Sequence, residues 1–235
     1  MTFLQHLEEL RWRILKSLAA IVLFAIVAFI KADLLIDFLT APTLRLERAV
    51  DLQALKVSDM FMVQLIASLM AGLVLASPVI IYQTWRFVEP ALSRPSKRIT
   101  LAVVLSGSFF FIAGVSFGYL VLLPFSLRFF AALGDGSVAA NYSIQSYMGY
   151  VIWMLLATGL VFQLPVITFI LTRIGLLTPA FLRHYRRFAL IAILVLAAVI
   201  TPPDPLSQFF MALPLVVLYE LSVLIAKVFS RPVDA

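Results

Sequence analysis

The chain has 235 residues, 63% of them hydrophobic and 13% charged, with a formal net charge of +6 and no cysteine. That balance is far too apolar for a soluble globular domain, and the missing cysteines exclude both a disulfide framework and a thiolate metal site. The charged residues fall in short connections, none long enough to fold around a core of its own.

Three stretches contain no Asp, Glu, Lys or Arg: Met60–Trp85, Ile99–Leu127 and Gly136–Thr172, which are 26, 29 and 37 residues long. At about 1.5 Å of rise per residue, even the shortest makes a helix of about 39 Å, more than the roughly 30 Å hydrocarbon core of a bilayer. The expected fold is therefore an all-α integral membrane protein with one transmembrane domain over the whole chain.

In chain order, the first predicted span covers about residues 14–32, with Lys16 in its opening turn. Arg11 and Arg13 precede it as they would a signal peptide. The apolar run is longer than a usual signal core and no small-residue cleavage site follows, so an uncleaved helix is expected. Between Lys31 and Asp59, leucines and Phe38 alternate with charges and with Pro42, which predicts short amphipathic segments lying along the outer surface as a cap. The second span is placed at 62–86 and the third at 99–127. A second outer cap is predicted over Gly134–Tyr147, rich in Gly, Asn, Ser and Gln, ahead of a fourth span at 148–172. Two short spans follow, 188–201 and 206–226, joined by Thr201-Pro202-Pro203-Asp204-Pro205, a run that stops one helix and starts the next. Their uninterrupted apolar runs give only about 20 Å of helix each, so this pair is expected to thin the bilayer, snorkel at its basic flanks or shelter behind longer neighbours.

Six spans place both termini on one side. Thirteen of the lysines and arginines then fall on that side and five on the other, which predicts cytoplasmic termini by the positive-inside rule.

An enzymatic site fails by inventory. His6 and His184 are the only histidines and neither sits in a metal-binding spacing, no phosphate-cradling glycine loop or nucleophile elbow is present, and the spans hold no acid pair. No catalytic residue, metal, cofactor or nucleic-acid partner is expected. What stands out is polar residues in apolar runs: Gln64, Gln83, Gln145, Gln163 and Gln208, each of which either ties helices together or meets a ligand or partner helix. Gln163 lies near mid-span, two residues before Pro165, whose missing amide frees a carbonyl about one turn earlier. At the N-terminus, Glu8 and Glu9 either pair with Arg11, Arg13 or Lys16 or accept a basic ligand. Glu89 can pair with Arg86 at i, i+3, and Asp204 can cap the last helix. A small secondary transporter or channel subunit is the alternative class. It would want charged or coordinating groups at mid-membrane and related broken helices in two halves, neither of which is visible here.

The motifs His6-Leu7-Glu8-Glu9-Leu10-Arg11, Ser77-Pro78-Val79-Ile80-Ile81-Tyr82-Gln83 with Trp85 and Phe87, Pro90-Ala91-Leu92, Phe117-Gly118-Tyr119 with Pro124, Phe162-Gln163-Leu164-Pro165 and Thr201-Pro202-Pro203-Asp204 with Ser207-Gln208 follow one another along nearly the whole chain. In this order they resemble the TatC family, the large integral subunit of the twin-arginine protein translocase. The resemblance implies a receptor in a bacterial or archaeal cytoplasmic membrane for folded cargo whose signal peptides carry paired arginines. It also implies the single-span partners TatA and TatB, assembly of several copies, and use of the proton-motive force. Glu9 and Phe87 match family positions that receive the arginine pair, with Glu8, Arg11 and Glu89 beside them. Gln163, Pro165 and Gln208 match the region where partner helices dock, and Pro202, Pro203 and Asp204 form the hairpin. Two departures stand out: Ser96 occupies the place of a second loop glutamate, so that Glu89 or Glu8 must supply the second carboxylate, and Gln163 stands where glutamate is common, which removes a titratable proton and leaves a polar docking point.

Overall fold

The computed structural model describes residues 3–45, 51–91, 96–133, 141–201 and 205–230. Ten helices are present among them: α1 (Phe3–Phe29), α2 (Ala32–Thr40), α3 (Asp59–Val88), α4 (Lys97–Phe117), α5 (Leu123–Leu133), α6 (Ile144–Val161), α7 (Leu164–Ile174), α8 (Pro179–His184), α9 (Arg186–Ile200) and α10 (Pro205–Phe229). Among the described residues, five helical stretches are long and apolar enough to cross a membrane: Leu4–Phe29, Asp59–Val88, Lys97–Ala132, Ile144–Ile174 and Pro205–Phe229.

Several expectations need correction. The sixth predicted span is not short: α10 has 25 residues, about 37 Å of helix. Glu220 interrupts the apolar run, but it is paired with Arg186 at 2.6 Å and the helix continues past it. Of the last pair only α9, with 15 residues and about 22 Å, is short of the hydrocarbon thickness. The first helix starts well ahead of Ile14, so that His6-Leu7-Glu8-Glu9 belongs to the same rod as the apolar stretch. On the predicted outer side, α2 buries Ala32, Ile36 and Leu39, and a short 3-10 segment, Ala41–Arg45, follows it. The described part of the second predicted cap is not amphipathic helix. Asn141–Ser143 (β2) pairs in parallel with Asp51–Gln53 (β1), and α6 has begun by Ile144. Neither strand was expected, because three residues are too few to show a period of two. The hairpin residues Pro202, Pro203 and Asp204 lie outside the described residues, as does much of the Gly134–Tyr147 stretch.

Two prolines shape the third and fourth spans. Pro124 has no amide to offer the preceding turn, and the backbone adjusts by a single π-helical turn, Gly118–Leu122, in which the Leu123 amide reaches back to the Gly118 carbonyl. The rod from α4 to α5 thereby stays continuous. Pro165 has a stronger effect: α6 ends at Val161, Phe162 and Gln163 form a turn, and α7 restarts with Pro165 in its first turn.

The core is centred on α6, where Met148, Val151, Met154 and Leu155 meet Val63, Leu122, Leu123, Met211 and Leu215. In lipid, apolar side chains gain nothing by leaving their surroundings, so helices associate where small residues let backbones approach. Gly114 of α4 does this against α6: a Cβ built there would lie 2.6 Å from the Thr158 carbonyl oxygen and 2.9 Å from Gly159 Cα. Gly72 of α3 lets α1 approach in the same way at Ala25. Leu18, Val22, Leu23 and Ile26 of α1 remain exposed on the other side, as a lipid-facing surface requires.

Candidate functional site

The first turns of α1 lie against the last turns of α3, and the start of α4 closes the third side. His6 stacks on Phe87, with ring centroids 4.3 Å apart and planes 17° from parallel. One turn on, the Arg13 guanidinium donates to Glu9 Oε1 through Nε at 3.1 Å and through its terminal nitrogen, while its other terminal nitrogen reaches Gln83 Oε1 at 3.4 Å. Glu9 is thus held in one orientation by its own helix and tied through Arg13 to α3. Its second oxygen, Oε2, is buried and has no hydrogen-bond partner among the described residues. A buried carboxylate oxygen without a donor costs free energy, and a cationic ligand with N–H groups removes that cost.

Glu89 is built differently. It is 9% exposed, and both of its oxygens are engaged: Oε2 accepts from Arg86 and Oε1 accepts from the Thr100 hydroxyl at 3.3 Å. The same Thr100 hydroxyl accepts from the indole of fully buried Trp85 at 2.9 Å. This chain of bonds fastens the end of α3 to the beginning of α4. Glu8 and Arg11 project from α1 into the open, with no ion pair among the described residues. Ser96 is exposed immediately before α4 and makes no side-chain cap.

A second region lies deeper. Gln163 donates to the Gly107 carbonyl of α4 at 3.1 Å, across the turn that separates α6 from α7. It lines a cavity of about 440 Å³ whose walls are otherwise almost entirely apolar, among them Ile81, Val103, Phe111 and Val166. Ser77, on the opposite wall, has a buried hydroxyl with no partner among the described residues. Pro165 makes the turn that brings Gln163 to this cavity but is not one of its lining residues. Gln208 is far from it in the fold: it donates to the Leu194 carbonyl and joins α10 to α9.

The structure therefore brings Glu9 and Phe87 together and keeps Glu89 beside them in a closed network, while Gln163 and Gln208 occupy separate places. Arg13 is the one of the three cations offered for Glu9 that pairs with it, whereas Gln83 and His6 were missed as members of the first cluster. The register was available in principle, since Arg13 stands at i+4 from Glu9, but which face of α3 meets α1 cannot be read from two helical periods alone. No group of acids and histidines able to hold a metal is present among the described residues.

The family model described as Sec-independent protein translocase protein (TatC) matches residues 5–214. The TatC protein of Desulforapulum autotrophicum is 38% identical over 99% of this chain and 87% of its own length. TatCy of Bacillus subtilis is 38% identical over 98% of this chain and 91% of its own. A crystal structure of the twin arginine translocase receptor TatC superposes with a TM-score of 0.81 at 34% identity, covering 96% of this chain and all of that one.

Proposed function

The chain belongs to the TatC family, and from that premise we propose that it receives signal peptides with paired arginines at the end of the bundle where α1, α3 and α4 meet. It is a membrane-embedded component of the Sec-independent protein translocase. The single observation that carries the receptor reading is the Glu9 carboxylate: Arg13 fixes one oxygen, and the other is buried without a donor among the described residues. A guanidinium from a signal peptide completes that oxygen with a charge-assisted bond, and the stacked His6 and Phe87 rings provide a flat neighbour for its plane.

The second arginine needs another acceptor, since Ser96 supplies no carboxylate. Glu89 already satisfies both its oxygens internally, whereas Glu8 is open to solvent, so Glu8 takes this role. Arg11 stays at the rim. The apolar part of the signal then lies along the bundle. Gln163, held near mid-span by the turn at Pro165, offers a polar contact to a single-span partner of the TatA or TatB type, and Gln208 marks the docking face on α9 and α10. Several copies assemble around the cargo, and the proton-motive force drives transport. All of this takes place in the cytoplasmic membrane with both termini inside, an orientation supported by thirteen basic residues against five. α9 completes a sixth crossing by locally thinning the bilayer.

The test is binding of a fluorescent signal peptide to the detergent-purified protein, alongside a peptide with two lysines and the Glu9→Gln variant. A hydrogen bond to a charged group is worth about 1.5–3 kcal/mol, so Glu9→Gln is expected to weaken binding about tenfold or more, and the lysine peptide should bind comparably weakly. Equal binding of both peptides, or unchanged binding by the variant, would overturn the reading.

A further inference from the structure

Six consecutive residues at the corner between α8 and α9, Arg183-His184-Tyr185-Arg186-Arg187-Phe188, are all exposed. No acidic residue occurs anywhere in 136–203, so the arginines have no carboxylate of their own segment to pair with. A basic corner standing free above the membrane would do no more than orient the chain. This one is held lower.

Three contacts give its level along α10. At the end of α7 the Arg173 guanidinium sits 5.7 Å from the ring of Phe229, the last residue of α10, which marks that end of the bundle. After the turn at Gly175 the chain runs back: the Tyr219 hydroxyl donates to the Leu182 carbonyl at 2.6 Å, and Arg186 meets Glu220. Glu220 precedes Phe229 by nine residues, or about 13 Å of helix rise. Arg186 is thus pinned more than two helical turns before the end of α10. Phe181, Tyr185 and Phe188 are exposed around them, at 50%, 43% and 53%, as interfacial aromatic residues are.

We propose that this corner is a binding site for an anionic phospholipid of the surrounding bilayer. Arg183 and Arg187 bind its phosphodiester, and Phe181 and Phe188 contact its acyl chains. Arg186 is partly neutralised by Glu220 and serves to hold the corner at depth. Guanidinium groups match phosphate oxygens in geometry and charge, and a zwitterionic lipid offers a competing cation that weakens the match. The lipid is drawn inward at the one helix, α9, that is too short for an unperturbed bilayer. The site is independent of signal-peptide recognition.

The test is native mass spectrometry of the delipidated protein in detergent, titrated with phosphatidylglycerol and, separately, with phosphatidylcholine. Each arginine near a membrane surface contributes about 1 kcal/mol toward anionic lipid, so Arg183→Gln with Arg187→Gln is expected to weaken phosphatidylglycerol binding about 30-fold, and Arg183→Gln alone about fivefold. Arg128→Gln, a basic residue of α5 outside this corner, should leave it unchanged. Equal affinity for the two lipids, or a double variant that binds as the wild type does, overturns the proposal. Displacement of the lipid by millimolar glycerol phosphate would overturn it as well, since the site would then be one for soluble phosphate. Should the double variant fail to fold, the single variant carries the same test.

Discussion

Replacing Gly114 by alanine probes what holds α4 against α6. The new Cβ would stand 2.6 Å from the Thr158 carbonyl oxygen, 2.8 Å from Phe162 Cβ and 2.9 Å from Gly159 Cα. Ordinary contact needs about 3.5 Å, so the two helices must part by about 0.6–0.9 Å at this point, and a gap of that size forfeits a quarter to a half of each neighbouring dispersion contact. All three opposing atoms are backbone or attached directly to it and cannot turn aside, which places the overpacking cost at the upper end of its usual range, about 3 kcal/mol. Alanine recovers about 1 kcal/mol of helix propensity, leaving a net loss of about 2 kcal/mol. Gly149 supplies the control: it lies in α6, and a Cβ built there meets nothing within 4 Å. Gly149→Ala should therefore be neutral or stabilise by up to about 1 kcal/mol. The measurement is unfolding by sodium dodecyl sulfate from mild detergent, followed by tryptophan fluorescence, for which fully buried Trp85 is a suitable reporter. Wild-type stability for Gly114→Ala, or an equal loss for Gly149→Ala, would refute the close-packing argument.

Three further predictions concern single polar side chains. Glu89→Gln removes the charge opposite a half-exposed Arg86 and should cost about 1 kcal/mol of stability while leaving signal-peptide affinity intact. Glu8→Gln should do the reverse, and affinity lost with Glu89 but kept without Glu8 would exchange their roles. Tyr147→Phe deletes a buried hydroxyl that donates to the Leu39 carbonyl at 2.8 Å. About 1 kcal/mol should be lost, and hydrogen exchange over 32–40 should quicken; unchanged exchange there would mean that α2 is held by its apolar face alone.

The sequence was most informative where a property adds up along the chain. Charge-free runs longer than a bilayer located the long helices, and the bounds at 62–86 and 99–127 lie within three residues of α3 and α4 at the start. The errors came where a single residue was allowed to end an element. The last span was expected to be short because a lone acid, Glu220, interrupts its apolar run, and only its partner Arg186, 34 positions away, removes the penalty. The site was legible in part for the same reason. Glu9 and Phe87 were picked out through motifs, but the engagement of Glu89 depends on Thr100 and Trp85, brought together by the turn from α3 to α4.

Hydrophobic length, cation asymmetry and proline positions are local quantities, and they decided by themselves that this chain is a helical membrane protein; the break of the fourth span before Pro165 came only with the structure. Tertiary structure decided which polar atoms stay without a partner. The amphiphilic groups at Glu9, Glu89, Gln163 and Ser77 read much alike in sequence. Packing saturates Glu89, half-saturates Glu9, ties Gln163 to a backbone carbonyl and leaves Ser77 facing a cavity. Hydrogen bonds are short-ranged and directional, so their completion depends on differences of less than an ångström in helix separation, set by glycines and rings on other segments.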